Sequence, residues 1–413
     1  MSKAISRRDF MKVTGVVGAA GLLAACGGNS SSTAASSSVA SAPAASADES
    51  LALSDGPVSM TISWWGGDSR HEAYQNAIKE FQAEHTNITI EPTFAAWSGW
   101  EEKMAAAFIA GNAQDVCQVN WNWLYNYSAD GSKFVDLNTT SKFIDLTQWD
   151  SAAMDACYVA NSQQCVPVSM TGRIFYWNMT TFNKAGITEV PKSLDDLMAA
   201  GKAFAEGIDF IKSLVDGHVM MNLKTYYSAN SDTATHQSNE WITGKIAGIF
   251  EWDSAASKYS SALDDANKDG FTVGEEIKFG DNNGGFSKVS MGLAITKTSK
   301  CVAEAATLIN FLLNEEKGAS IMGSECGIPA SKAGLKFAQD AGAVKDLVAE
   351  ANAKVMAFTT NKLDPLFENN DLKASGTGIY QEVFDNIDYG DETPEEAVNG
   401  LLDGMESVGY TIA

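Results

Sequence analysis

Ile62-Ser63-Trp64-Trp65-Gly66-Gly67-Asp68-Ser69-Arg70-His71 joins two hydrophobic periodicities, and that junction decides the fold. Before it, Met60 and Ile62 alternate with Thr61 and Ser63, which is the pattern of a strand. After it, Ala73, Tyr74, Ala77, Ile78 and Phe81 recur at helical spacing and define one buried face. Ser69 followed by Glu72 has the form of a capping box, so the spacing predicts a helix starting there. The Gly66-Gly67 turn thus lies at the carboxyl end of a strand and beside a helix N-terminus. In open α/β sheets that edge holds ligands, because free backbone N–H groups and the positive end of the helix dipole face it.

The unit repeats downstream. Ile88 to Phe94 alternates as a strand, Ser98-Gly99-Trp100-Glu101 again resembles a capping box, and Met104, Ala107 and Phe108 share one helix face up to Gly111. Asp115 to Val119 is a third strand, running into Asn120-Trp121-Asn122-Trp123. Strand, helix, strand, helix, strand predicts right-handed crossovers and a mostly parallel sheet, with aromatic and amide residues gathered at one edge. Further on, Val166 to Asn178 reads as two β-rich segments. A long helix is expected from Ser193 through Phe204, Ile208, Ile211 and Leu214. Gly244 to Phe250 and Ser290 to Ile295 read as strands, Ala303 to Leu313 and Lys317 to Met322 as helices. Thr393-Pro394-Glu395-Glu396 caps the last helix, with proline at its favoured first position.

The N-terminus is read as an export signal. Ser6-Arg7-Arg8-Asp9-Phe10-Met11-Lys12 is a basic segment of twin-arginine type, and Val13 to Ala25 is an apolar run too short to span a bilayer. Leu23-Ala24-Ala25-Cys26 resembles the lipobox of bacterial lipoproteins, with Cys26 as the lipidated residue. The Ser/Ala-rich stretch 26–56 has too few large apolar residues for a core and is expected to be a disordered tether, reaching about 30 Å. The whole chain has 413 residues and a net charge of −23. Cleavage before Cys26 would leave 25 basic and 51 acidic residues, a net charge of −26. Such a surface repels nucleic acid and does not suggest an anionic ligand, leaving neutral or cationic ones. Five further cysteines form no CxxC pair and only four histidines are present, so no zinc or other metal site is expected, though a Cys157–Cys165 bridge stays open.

Several motifs in this order are similar to those of the extracellular sugar-binding lipoproteins of bacterial ABC importers, the family 1 solute-binding proteins of maltose-binding type. They are the signal and lipobox, Trp64 to Asp68, Gln118 to Trp123, Val166-Pro167-Val168, Tyr176-Trp177-Asn178, Gly248 to Asp253 and Gly327-Ile328-Pro329-Ala330. The resemblance implies an α/β, two-lobed, hinged fold of the type II periplasmic-binding-protein kind, with the ligand in the cleft between lobes. It places hinge crossings near Pro167–Thr171, Ser287–Met291 and Cys326–Ala330. Lobe 1 would comprise 57–167 and 291–327, and lobe 2 168–290 and 328–413. It further implies a monomeric receptor without cofactors, lipid-anchored on the extracellular face of the cytoplasmic membrane, that delivers a carbohydrate to ABC transporter transmembrane subunits. Ligand contacts carried over by position are Trp65 and Asp68, Trp121 with Asn120 or Asn122, Thr171 and Arg173, and Trp252 with Asp253. One departure is that Ala203-Phe204-Ala205-Glu206 runs straight into the next helix, so lobe 2 is expected to be shortened.

These residue types suit sugars, whose C–H faces pack on aromatic planes and whose hydroxyls need carboxylates, amides or Arg. Trp97, Trp100, Arg70 and His71 are secondary candidates, while Trp149, Trp177 and Trp241 are assigned to packing. A polyamine receptor would instead need a box of carboxylates. No GxSxG, HExxH or P-loop pattern is present, and the eight βα units of a glycosidase barrel are not found, so an enzyme is the least favoured class. Asp265-Ala266-Asn267-Lys268-Asp269-Gly270 with Glu276 resembles a calcium loop, but Ile277 to Asn282 behind it does not read as a helix and a surface turn is expected.

Overall fold

The computed structural model describes residues 48, 50–193, 195–197, 199, 226, 233–277, 285–374 and 377–410. The signal, Cys26 and the junction at Ala203–Glu206 lie outside the described residues. Residues 44–413 form one compact unit. The tether is shorter than expected at its C-terminal end. Asp48 N–H donates to Thr139 O (2.9 Å) and Ser54 N–H to the Glu304 carboxylate (2.7 Å), so Asp48 and Ser54 are held against the body.

Strand β1 (Val58–Trp65), helix α1 (Asp68–Glu84), β2 (Ile88–Ala95), α2 (Trp100–Ala110) and β3 (Val116–Val119) follow in the order that periodicity predicts, and α3 (Asn122–Tyr127) follows β3. Ala73, Tyr74, Ala77, Ile78 and Phe81 are the buried face of α1. Its cap differs from expectation. The helix begins at Asp68 with Gly67 as N-cap and no side-chain cap, because the Ser69 hydroxyl donates instead to Glu325 (2.7 Å). Helix α2 likewise starts behind Gly99, in the left-handed region at φ 72°, without a side-chain cap. Of the three expected boxes only Thr393–Glu396 forms, at the start of the last helix, Pro394–Ser407.

β1 pairs in parallel with β2 and with β3. The sheet is then mixed, where a mostly parallel one is expected. The long strand β8 (Gly285–Ile295) runs antiparallel both to β3 and to β4 (Val166–Thr171). A 3-stranded sheet sets β5 (Arg173–Asn178) between β6 (Gly248–Trp252) and β7 (Phe271–Val273). Buried apolar residues separate accordingly. One cluster gathers residues from Met60 to Val168 and Val289 to Cys326; another gathers Ile174, Tyr176, Trp241, Tyr259 and Val273 with Val348 to Val355. Within the stretch expected in lobe 2, helix Lys332–Asp340 packs instead on the first cluster's helix Val302–Asn314: a Cβ on Gly334 would stand 2.2 Å from Leu313 O.

The expected crossings lie side by side. Lys288 is in register with Thr171 and Met291 with Ser169, Ser169 Oγ donates to Cys326 O (2.6 Å), and Ala330 N–H donates to Val168 O (2.9 Å). Gly172 stands between β4 and β5, where a Cβ would meet Phe286 O at 2.4 Å and Val355 Cγ1 at 2.5 Å. A backbone oxygen cannot rotate away, so Gly172→Ala should destabilise the protein by about 1–3 kcal/mol. Denaturant unfolding checks this, and an unchanged midpoint would show that the crossing yields.

Candidate functional site

Alternation along β1 sends its two tryptophans to opposite faces. Trp64 is fully buried, stacked on Tyr74 and Phe94, and its indole N–H donates to His71 Nδ1 (3.0 Å). Trp65 turns the other way, to Trp97 (5.1 Å between centroids) and Trp123 (5.5 Å). Trp97 and Trp123 are themselves stacked at 6.1 Å. The three come from the carboxyl end of β1, the segment after β2 and the helix after β3, so the strand edge does gather them. Trp123 is fully buried and donates to Glu101 Oε1 (2.9 Å), whereas Trp97 is 41% exposed and is the member open to a ligand.

From this group a charged chain leads to the other cluster. The Lys373 ammonium lies 5.6 Å from the Trp97 ring centroid and 3.0 Å from the Glu368 carboxylate. Glu368 also pairs with Lys288 at 2.6 Å. The Lys288 ammonium in turn lies 5.4 Å from the Trp121 ring and 4.6 Å from the Trp252 ring, so one side chain of β8 touches two of the three tryptophans expected to hold the ligand. Arg173 stands 4.7 Å from the Trp252 ring and 6.0 Å from Phe250. Burial pushes the Lys288 ammonium down to about 8, partly offset by Glu368. Burial alone would raise Glu368, but Lys288 and Lys373 outweigh it and hold the carboxyl near 2. Both members of the pair are therefore charged at neutral pH. Nothing local in the sequence marks Lys288, Glu368 or Lys373; a lone lysine in the apolar run of β8 is the only hint.

The remaining expected residues divide. Thr171 and Asp253 are buried and hydrogen-bonded to each other, and Asp253 also accepts from Asn352 (2.7 Å), so they brace the crossing. Asn122 donates to Glu368 O (2.7 Å), and the amide oxygens of Asn120 and Asn122 are buried without a hydrogen-bond partner. Orphaned acceptors of this kind are what hydroxyl donors would satisfy. Asp68 is exposed at the first turn of α1. Arg70 donates to Glu325 O (3.0 Å) and Trp65 O (3.1 Å), a structural role. Trp100, Trp149, Trp177 and Trp241 are buried, and so are the candidates Trp65 and Trp121. In the calcium-like loop, Asp265 pairs with Lys268 (2.7 Å) and Asp264 caps the turn through Ala266 N–H (3.1 Å). Cys157 and Cys165 are buried free thiols.

Asp253 gives a pH signature. Burial raises its carboxyl to about 6, against a usual 3.8, although Thr171 and Asn352 pull it back. Between those values the native state holds a proton that the unfolded chain has lost, so stability rises as pH falls from 6 to 4, by about 3 kcal/mol. Below the usual 4.5 of Glu368 the sign reverses: its native carboxyl stays ionised to about 2, and stability is lost as pH falls. The contribution of Asp253 to the midpoint temperature should therefore grow as pH falls from 6 towards 4. Asp253→Asn should flatten the rise from pH 6; a variant that keeps it assigns the rise elsewhere.

The family model described as bacterial extracellular solute-binding protein matches residues 67–319, and that of the TAT (twin-arginine translocation) pathway signal sequence matches residues 4–24. Among solved structures, the chain is similar to a periplasmic oligogalacturonide binding protein from Yersinia enterocolitica in complex with saturated digalacturonic acid. That match has 29% identity and a TM-score of 0.76, covering 85% of this chain and 98% of that one. A periplasmic solute binding protein from Pectobacterium atrosepticum matches at 28% identity and a TM-score of 0.77, over 85% and 98% of the two chains. The diacetylchitobiose binding protein DasA of Streptomyces coelicolor is 24% identical over 49% of this chain and 44% of its own length. The chain spans about half the length of the curated relatives it matches.

Proposed function

The chain belongs to the bacterial extracellular solute-binding proteins, and from that premise we propose that it captures an oligosaccharide between its two lobes for an ABC importer. The observation that carries the reading is the graded aromatic group at the strand edge. Trp123 is buried, Trp65 nearly so, and Trp97 is exposed against both of them, with the Lys373 ammonium near its ring. An apolar plane edged by charged hydrogen-bonding groups is what a sugar ring, with its C–H face and hydroxyl rim, requires. Relatives described as binding oligogalacturonide and diacetylchitobiose support the same class.

The receptor would act as a monomer, without covalent chemistry. It would be exported through its twin-arginine signal, lipidated at Cys26 and held on the extracellular face of the membrane, to deliver its ligand to the transporter's transmembrane subunits. Lobe closure about the three crossings would couple binding to docking. The cations beside Trp252 and Trp97 count against a polyamine, the competing ligand class, since like charges repel.

Thermal unfolding of the purified protein against oligosaccharides, with spermidine as the contrast, tests the reading. At 100 times its dissociation constant a ligand adds about 2.7 kcal/mol of stability. A shift with a sugar and none with spermidine is expected; a shift with spermidine alone would replace the carbohydrate reading.

A further inference from the structure

Lys288 stands where the two buried clusters meet. It belongs to the crossing strand β8, in register with Thr171. Its side chain is 5% exposed, and its ammonium is paired with Glu368 at 2.6 Å. Glu368 is fixed on the first cluster's side: its main-chain oxygen accepts from Asn122 (2.7 Å), and nearby Leu363 packs against that cluster. Trp121, whose ring lies 5.4 Å from the ammonium, belongs to the same cluster. Trp252, with its ring 4.6 Å away, is held by the other side, where its carbonyl accepts from the Tyr176 hydroxyl (2.6 Å). The carboxylates flanking Trp252 in the chain are engaged elsewhere. Glu251 accepts from Trp252 N–H (2.8 Å) and the Tyr259 hydroxyl (3.3 Å), and Asp253 from Thr171 and Asn352. The ammonium therefore meets its carboxylate on one side and an aromatic face on the other. A cation over an indole is attracted most strongly where water is excluded.

We propose that Lys288 is the positioning residue of lobe closure: seated on Glu368 of one lobe, its ammonium holds the Trp252 face of the other, so the ligand-free protein rests closed at the hinge. The proposal rests on the two-lobe part of the reading above and not on the carbohydrate. It differs from a packing role, because Met at 288 with Leu at 368 would fill a similar volume yet offer Trp252 no charge. A ligand then meets a cleft already near its bound shape, and less of its affinity is lost to closing the lobes.

Spin labels on Glu102→Cys and Ser261→Cys, exposed positions on the two sides, read closure as a distance in the purified, ligand-free protein. Cys26→Ser removes the cysteine of the tether, and the five described native cysteines are buried. The parent should show a single short distance. Lys288→Met/Glu368→Leu and Trp252→Ala should each raise the open-to-closed ratio about tenfold, the usual worth of one desolvated cation–aromatic contact. The first keeps the volume of the charged pair and the second keeps the pair itself, so each opening is read in a folded protein. Combined, they should open the protein no further than Trp252→Ala alone, because both remove the same contact. Lys288→Arg, which keeps the cation, should keep the parent's distance. Variants with the parent's distance, additive opening in the combination, or a parent that already rests open would overturn the proposal. Each of these results leaves the carbohydrate reading standing, since thermal unfolding with sugars tests that separately.

Discussion

Glu368→Ala will lower the stability of this protein by about 3–5 kcal/mol, because it strands a buried ammonium. The Lys288 side chain is only 5% exposed and loses a carboxylate at 2.6 Å. Burial already holds that ammonium down at about 8, with Glu368 the main opposing influence. Without Glu368 it should shed its proton nearer neutrality, so the penalty should shrink as pH rises and be largest below pH 7. The double variant Lys288→Met/Glu368→Leu replaces both charges with apolar groups of similar size and should recover most of the loss. Denaturant unfolding at pH 6 and pH 9 measures all three. A Glu368→Ala protein within about 0.5 kcal/mol of the parent would mean that water or Lys373's surroundings already solvate the pair.

Trp123→Ala and Trp97→Ala should part company, although their rings stack on each other. Trp123 is fully buried among Phe108, Tyr127 and Trp65 and satisfies the buried Glu101 through its indole N–H. Its truncation opens a cavity and orphans a carboxyl whose titration burial already raises, for a loss of about 3–5 kcal/mol. Trp97 is 41% exposed, so its truncation should leave stability within about 1 kcal/mol while weakening ligand binding by about 2 kcal/mol or more. Unfolding and titration on both variants separate the outcomes. Equal loss of stability would make Trp97 a packing residue, and unchanged affinity in Trp97→Ala would remove it from the site.

What could be read from the chain was local. The strand-to-helix change at Gly66-Gly67, the buried face of α1 and the Thr393–Glu396 box each depend on residues within a few turns of one another. The two capping boxes that fail do so for different reasons: the Ser69 hydroxyl reaches Glu325, 256 residues away, and Gly99 takes a left-handed conformation that periodicity does not register. Trp64 and Trp65 are neighbours in every sequence pattern, yet only Trp65 faces the site, since alternation separates them without saying which face is which.

By itself, then, the sequence determined the α/β class, the export signal and the aromatic residues at the ends of the strands. All of these come from periodicity, turn chemistry and composition, which act over short stretches. Tertiary structure alone decided which of those tryptophans stand together and what charge they meet. Thr171 and Asp253, 82 residues apart, turned out to hold each other, and Lys288 and Glu368, 80 residues apart, joined the two tryptophans. The physical reason is that a buried charge is tolerable only beside its partner, and partners are chosen by the folded backbone, whose long-range pairings leave no spacing in the chain.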